Sequence, residues 1–193
     1  MPPKESVMRI QDLRPNNDEE IRQIAAMLVE GFRENWPDAW PDMNAAVQEV
    51  QDAFAPGRIS RFAEDESSGE VLGWIAAIQQ HKGKLWELHP MVVHPKHQRC
   101  GVGRALVADL EERVREYGGL TLWLGTDDEN GMTTLSNVNL YPNVWDHISK
   151  MRNLRGHPFE FYLKLGFVIV GVLPDANGPG KPDIFMAKSL AQP

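Results

Sequence analysis

The sequence has a single cysteine, no long apolar run and no surplus of basic residues. One cysteine, Cys100, excludes an internal disulfide framework and fits a reducing compartment such as the cytoplasm. The apolar run near Leu72–Ile78 is far too short to cross a bilayer, and the first residues lack the apolar core of a signal peptide. A net charge of −7 argues against a nucleic-acid surface, which needs clustered Lys and Arg. The sequence therefore predicts a cytoplasmic protein with neither a membrane span nor a nucleic-acid partner.

The spacing of metal-ligand residues is also missing. There is no pair of cysteines, and His94 and His97 have no obvious companions in the sequence. We expect both histidines to lie solvated in a loop, and we predict no metal site. The negative charge is compatible with a cationic substrate drawn to an acidic cleft, but solubility alone explains it equally well.

Apolar periodicity predicts one α/β domain over residues 1–193, a length that suits a full core. Helices are predicted at 18–32, at 43–54 with Asp42 as N-cap, from about Arg104 to Tyr117, and at 158–165, with a helical turn at 144–153. Strands are predicted at 7–13, 59–64, 70–80, 85–94, 120–125, 167–173 and 183–188. Because the order from 85 to 125 is strand, loop, helix, strand, those two strands should be parallel, whereas the early strands should be antiparallel.

A glycine loop lies between an apolar strand and a helical pattern, in the order Gln98-Arg99-Cys100-Gly101-Val102-Gly103-Arg104. Its glycines let the backbone approach a ligand, and the helix N-terminus adds partial positive charge, so the loop is suited to hold phosphates. It is not a dinucleotide fingerprint, because Leu106 stands where a third glycine is needed, and no Gly-Lys-Ser/Thr follows as in a Walker loop. Cys100 is interpreted as a small loop residue, since a phosphate-binding loop is the wrong place for a nucleophile.

Acidic side chains mark two strands. Strand alternation places Glu87 and His89 on one face, opposite Trp86 and Leu88, and a central strand would carry them only if they were partnered or faced a cleft. Asp127 and Asp128 follow a buried strand, where ligands gather in open α/β sheets. They could hold ammonium groups, although a solvated turn or a helix cap would also explain Asp128.

Tyr162 lies on a predicted helix among phenylalanines, where a tyrosine usually belongs to the core. A phenol has an ordinary pKa near 10, so it could also act as a proton donor at neutral pH.

The Gln-x-x-Gly-x-Gly loop at Gln98–Gly103 and the Tyr-x-x-x-Gly-Phe segment at Tyr162–Phe167 resemble the GNAT superfamily of acyl-CoA-dependent N-acyltransferases. The resemblance implies a central mixed, largely antiparallel sheet of about six to seven strands and about four helices, with a splayed parallel strand pair that binds acetyl-CoA. It also implies that Met91, Val92 and Val93 bind the pantetheine arm through their backbone, with the Met91 N–H facing the thioester oxygen. The implied pyrophosphate-binding residues are Gln98, Arg99, Cys100, Gly101, Val102, Gly103 and Arg104. Tyr162 would lie beside the sulfur as general acid.

Longer segments are similar to the single-domain aminoglycoside 6′-N-acetyltransferases: 35–38, 86–93, 118–128 and much of 153–188, but not 58–69. Enzymes of that family transfer the acetyl group of acetyl-CoA to the 6′-amine of aminoglycosides by direct attack, which confers antibiotic resistance. The resemblance implies the same reaction here, and it also implies a homodimer. The implied substrate-binding residues are Trp36, Asp38, Glu87, His89, Asp127 and Asp128. Trp36 would pack against the sugar, and Glu87 or Asp127 would bind ammonium groups or accept the amine's proton, directly or through water.

Two other functions stay open from the sequence. One is an N-acetyltransferase of another amine, such as a polyamine, a peptide or a protein lysine. The other is a non-catalytic sensor that binds acyl-CoA. The presence of Glu87, Asp127 and Tyr162 together disfavours the sensor, because CoA binding alone needs neither carboxylate.

Overall fold

The computed structural model describes residues 7–191, which fall into two compact units, one ending at Gly119 and the other beginning at Leu120. Seven strands and five α-helices are assigned in this range. Within the range, no helix is both long and apolar enough to cross a membrane. The predicted α/β fold with a largely antiparallel sheet is confirmed.

The sheet of the first unit is an antiparallel meander. Its strands, joined in chain order, are β1 (Met8–Asp12), β2 (Arg58–Asp65), β3 (Val71–Gln80) and β4 (Leu85–Val93). Short turns connect β2 to β3 and β3 to β4, and such turns require antiparallel neighbours. The antiparallel arrangement predicted for these early strands is therefore confirmed.

Three helices belong to the same unit: α1 (Asp18–Phe32), α2 (Met43–Asp52) and α3 (Val102–Glu116). Asp42 caps α2 as predicted, since its carboxylate accepts the N–H groups of Asn44 and Ala45, each at 2.9 Å. The apolar stripes of α1 and α2 bury a core with the sheet, in which Leu28 and Trp74 are fully enclosed. The first turn of α1 carries three acids, whose negative charges stabilise the helix because its N-terminus has a partial positive charge.

A buried arginine and a glycine fix α3 against the sheet. Arg61 on β2 is 8% exposed and donates two hydrogen bonds to Asp109 of α3, at 2.7 and 2.9 Å, and one to Asp12 at 2.6 Å. A side chain at Gly73 would place its Cβ 2.9 Å from the Val92 carbonyl oxygen and 3.0 Å from a Leu106 methyl. Strand β3 and helix α3 therefore approach too closely for any residue larger than glycine.

The second unit holds three antiparallel strands: β5 (Thr121–Asp127), β6 (Val168–Leu173) and β7 (Asp183–Ser189), with β7 between the other two. Its helices are α4 (Val144–Ser149) and α5 (Phe159–Lys164). Helix α4 confirms the helical turn predicted in the long polar stretch, although the helix ends earlier than expected. The structure also extends β5 to Asp127, two residues beyond the predicted end.

Candidate active site

Strand β4 contains a bulge next to the residues expected to carry the chemistry. Leu88 pairs with Ala77 and Met91 pairs with Ile75, so His89 and Pro90 together oppose the single residue Ala76. A bulge leaves the extra residue outside the regular ladder and redirects the strand, and bulges are common beside active sites. Met91, whose N–H is predicted to face the thioester oxygen, is the first regularly paired residue after this interruption.

Glu87 is half-buried and has a defined partner. One of its carboxylate oxygens accepts a hydrogen bond from the Gln80 side-chain amide at 2.7 Å. Burial along β4 alternates, with Trp86 and Leu88 enclosed while Glu87 and His89 are more open. The predicted division of this strand into two faces is thus confirmed, and Gln80 meets the requirement that an acid within a sheet be hydrogen-bonded.

An aromatic corner surrounds His89. Trp40 lies 6.4 Å from the His89 ring and 4.6 Å from Phe32, measured between ring centroids. The His89 Nε2 is 3.8 Å from a carboxylate oxygen of Glu49 on α2. Trp36, the tryptophan predicted to pack against the sugar, lies 5.6 Å from Phe32. Sequence reasoning singled out Trp36 and missed Trp40, although both stand in the same Trp/Pro-rich segment after α1.

Asp38 lies in the segment between α1 and α2, where its side chain is exposed. Its predicted contact with substrate stays a prediction.

The glycine loop opens directly into helix α3. The helix begins at Val102, two residues earlier than the sequence pattern indicated, with Gly101 as N-cap at φ +91°. Arg99 also has a positive φ of +62°. Left-handed residues before a helix start turn successive N–H groups to one side, which is the arrangement that binds anions.

The first residue of the glycine loop is hydrogen-bonded to β4, and the last residues belong to α3. Gln98 donates from its side-chain amide to the Val93 carbonyl at 3.4 Å, which joins the loop to the end of β4. Cys100 is exposed, with its sulfur 3.5 Å from the Gln98 carbonyl oxygen. Gly103 lies in the first turn of α3, Val102 is buried, and Arg104 is exposed beside them. The loop therefore combines N–H groups at a helix start with two exposed arginines, Arg99 and Arg104, as a phosphate site requires.

The histidines before this loop, His94 and His97, differ from expectation in their contacts. Both histidines are half-exposed in the turn after β4, which agrees with the expected loop position, but they have partners that the sequence did not show. His97 Nε2 lies 3.2 Å from a carboxylate oxygen of Glu70, and the two histidine rings meet edge to face at 5.4 Å. Glu70 is distant in sequence and lies before β3, so periodicity around the histidines gave no signal of it.

In the second unit, the two aspartates at the end of β5 have different environments. The Asp127 carboxylate accepts a short hydrogen bond from the Asn177 side chain and is half-buried. Asp128 is fully buried, and its two oxygens accept the N–H groups of Met132 and Thr133 at 2.7 and 2.8 Å. This carboxylate shapes the long loop after β5, so Asp127 rather than Asp128 stays the predicted substrate ligand.

Tyr162 is enclosed on α5. Its side chain is 8% exposed, and its ring packs edge to face against Phe161 at 5.1 Å and Phe167 at 5.6 Å. Burial raises the pKa of the Tyr162 phenol above its ordinary value. The pKa of Tyr162 is therefore higher than the value near 10 that was expected for it, and its hydroxyl stays protonated throughout the neutral range.

His157 is a residue that sequence reasoning missed. It is 2% exposed, its Nε2 donates to the Asp127 carbonyl at 3.1 Å, and its Nδ1 accepts the Phe159 N–H at 3.2 Å. Burial lowers the pKa of His157, so the ring is neutral, with the proton on Nε2. One imidazole thus joins the end of β5, which carries Asp127, to the start of the helix that carries Tyr162.

We expect the folded protein to lose stability at acid pH because of His157. Because the pKa of His157 is lower in the folded than in the unfolded state, its contribution is present above the unfolded pKa and is lost as pH falls below it. Thermal unfolding of the wild type should shift to lower temperature between pH 7 and 5, roughly the window below an ordinary histidine pKa. In His157→Gln, which can still donate and accept, that shift should be smaller. An equal shift in both proteins would remove His157 as its source.

The glycine loop between β4 and α3, the Glu87 carboxylate on β4 and, in the second unit, the enclosed Tyr162 phenol are features by which the sequence resembles the acyl-CoA-dependent N-acyltransferases. The chain belongs to the acetyltransferase (GNAT) family, which it matches over residues 21–133. The resemblance predicted from the sequence is thereby confirmed.

Solved structures agree with this assignment. The chain is 40% identical to an aminoglycoside 6′-N-acetyltransferase complexed with coenzyme A, over 96% of this chain and 98% of that one, with a TM-score of 0.86. The enzyme of that type from Enterococcus faecium is similar at the same identity and coverage, with a TM-score of 0.84. An aminoglycoside 6′-acetyltransferase type Ii is 34% identical over 96% and 99% of the two chains, with a TM-score of 0.71. The comparison with curated proteins yields no match.

Proposed function

We propose that this protein transfers the acetyl group of acetyl-CoA to the 6′-amine of aminoglycosides, as one acetyltransferase domain over residues 1–193. The observation that carries the proposal is a likeness at 40% identity, over 96% of the chain, to 6′-N-acetyltransferases. One of those relatives holds coenzyme A. The glycine loop from Gln98 to Arg104 would bind the pyrophosphate of the cofactor through backbone N–H groups and two arginines.

The proposed reaction is direct attack of the amine on the thioester carbonyl, without an acyl-enzyme. A carbon–nitrogen bond forms, the carbon–sulfur bond breaks, and the amine loses one proton. Glu87 accepts that proton, directly or through water, and the Met91 N–H stabilises the negative charge on the carbonyl oxygen. Tyr162 donates a hydrogen bond from its phenol to the departing thiolate. No metal takes part in these steps.

Substrate recognition is proposed to depend on acids and aromatic rings. Asp127 would bind an ammonium group of the aminoglycoside, with its carboxylate held in place by Asn177. His89 and Trp36 would line the site, and we add Trp40 because its ring lies near His89. A net charge of −7 would favour the approach of a polycation.

The physiological setting is proposed on the same basis. Antibiotic resistance in the cytoplasm is the role that the resemblance implies. Homodimerisation is supported by β6, which lies at the edge of its sheet with Val168, Val170 and Leu173 each at least half exposed. An apolar edge strand offers both unpaired backbone groups and apolar surface to a second copy of the chain.

The first test is thiol release from acetyl-CoA with kanamycin, which has a free 6′-amine, beside an analogue that carries a hydroxyl at that position. We expect release with the amine alone, because a neutral amine is a much stronger nucleophile toward the thioester than a hydroxyl. Faster turnover of a peptide or a polyamine would identify a different native substrate. Binding of CoA without release from any amine would point to a sensor.

A further inference from the structure

We propose that Glu70, His94 and His97 form a binding site for a divalent transition-metal ion of the Zn²⁺ class, at the entrance to the glycine loop. One donor atom from each of these side chains lies within 4.8 Å of the other two. The site uses none of the residues assigned to acetyl transfer and is independent of the proposed function. An ion there would connect the start of β3 to the turn that leads into Gln98.

The backbone holds all three positions. The Glu70 carbonyl accepts the Asp65 N–H at 3.0 Å, and the His94 N–H donates to the Leu72 carbonyl at 2.9 Å. The His97 N–H in turn donates to the His94 carbonyl at 2.8 Å, which closes the turn between the two histidines. Because β3 and β4 are antiparallel, the start of one and the end of the other lie at the same end of the sheet. The three side chains therefore converge because of the fold.

The donor separations fit a small ion. Zinc binds nitrogen and oxygen at about 2.0–2.2 Å, which places tetrahedral donors roughly 3.3 Å apart. His97 Nε2 and the nearer oxygen of Glu70 are already 3.2 Å apart. The largest separation, under 4.8 Å, can close by rotation of side chains that are partly exposed, with Glu70 at 45% and His97 at 32%. Water would complete the coordination.

Coordination through the Nδ1 of His94 would exchange one hydrogen bond. Its Nδ1 accepts the N–H of Lys96 at 3.2 Å, a long bond. Coordination through this nitrogen would replace that bond, and water could take the N–H because Lys96 is exposed. The contact between His97 and Glu70 would likewise be replaced by one bond from each of these side chains to the metal ion.

The chemistry of the donors selects the class of ion. Two imidazoles and a carboxylate suit Zn²⁺, Ni²⁺, Co²⁺ or Cu²⁺, whereas Mg²⁺ and Ca²⁺ prefer oxygen ligands alone. With neutral imidazoles, Glu70 gives the three ligands together one negative charge, which favours a dication.

The test is a calorimetric titration of tag-free, chelator-washed protein with ZnCl₂, and with MgCl₂ for comparison. We expect one equivalent of Zn²⁺ to bind, and binding to weaken roughly tenfold or more in His97→Ala and Glu70→Gln, because each removes a ligand. Two variants serve as matched controls and should bind as the wild type does: Lys96→Ala in the same turn, and His81→Ala, an exposed histidine elsewhere. Equal binding of Mg²⁺ would contradict an imidazole site.

Thermal unfolding gives a second readout. Saturating Zn²⁺ should raise the unfolding temperature of the wild type and of Lys96→Ala, because an ion that binds only the folded state stabilises it. The rise should be smaller in Glu70→Gln at the same Zn²⁺ concentration, because the ion binds that variant more weakly. The Glu70 side chain is exposed, so this variant serves as the ligand test if His97→Ala fails to fold. The proposal is overturned if the wild type shows no saturable Zn²⁺ binding, if the ligand variants bind as it does, or if His81→Ala loses the ion.

Discussion

Replacement of Glu87 by Gln should lower kcat for aminoglycoside acetylation by on the order of a hundredfold or more, the usual contribution of a positioned general base. The substitution removes the charge and the basic oxygen but keeps the shape of the side chain. Its remaining carbonyl oxygen can still accept the hydrogen bond that Gln80 donates at 2.7 Å, so the fold of β4 should be unchanged. Steady-state kinetics with kanamycin and acetyl-CoA, beside binding of acetyl-CoA alone, measures the effect.

The division between kcat and KM distinguishes the two roles open to Glu87. If it accepts the proton, kcat falls while KM for the aminoglycoside changes little; if it only binds an ammonium group, KM rises and kcat is spared. Glu49→Gln is a suitable control, since that acid lies 3.8 Å from His89 on the neighbouring helix and has no assigned chemistry. Full activity in Glu87→Gln would exclude both roles.

The sequence was sufficient for features that depend on local periodicity and capping. The apolar stripe of α1, the Asp42 cap and the two faces of β4 all follow from residues within a few positions of one another. The early antiparallel strands follow from the shortness of the turns between them. Helix α3 was placed two residues late because Val102 and Gly103 were interpreted as loop. Glycine is a weak signal at a helix start, where it can be either N-cap or first turn.

Features that depend on distant residues could not be predicted in the same way. The bulge at His89 depends on how β4 aligns with β3, and register is not visible in one strand alone. His157 appeared as part of a long polar stretch, because its partners, the carbonyl of Asp127 and the N–H of Phe159, are main-chain groups. Glu70 meets His97 only because two antiparallel strands bring their ends together. Each of these contacts becomes visible only when the chain is folded.

Asp128 shows that an acid at an expected ligand position can have a structural role. The carboxyl end of β5 is the predicted place for substrate ligands, and Asp127 stays a predicted ligand there. Asp128, however, is fully buried and holds two backbone N–H groups of the following loop. Neighbouring acids at a strand end can therefore differ in burial and in hydrogen-bond partners, which the sequence alone does not show.

Tyr162→Phe should lower kcat by roughly a hundredfold, in the range usual for a positioned proton or hydrogen-bond donor. It should leave the affinity for acetyl-CoA nearly unchanged. Phenylalanine keeps the ring that packs between Phe161 and Phe167, so only the hydroxyl is lost. Pre-steady-state acetyl transfer and acetyl-CoA binding should be measured side by side, with Tyr141→Phe as a control because Tyr141 is 67% exposed. Unchanged turnover in Tyr162→Phe would remove the phenol from the mechanism.

The raised pKa of Tyr162 adds a condition on pH. Burial favours the neutral phenol, so Tyr162 remains protonated well above pH 7 and cannot be the source of a fall in rate on the alkaline side. Wild-type kcat should therefore show no loss between pH 7 and about 9 that disappears in Tyr162→Phe. A raised pKa also opposes complete transfer of the proton to a thiolate that is less basic than the phenol. In the proposed mechanism, we therefore expect the hydroxyl to donate a hydrogen bond as negative charge develops on sulfur, and the thiolate to take its proton from water after it departs.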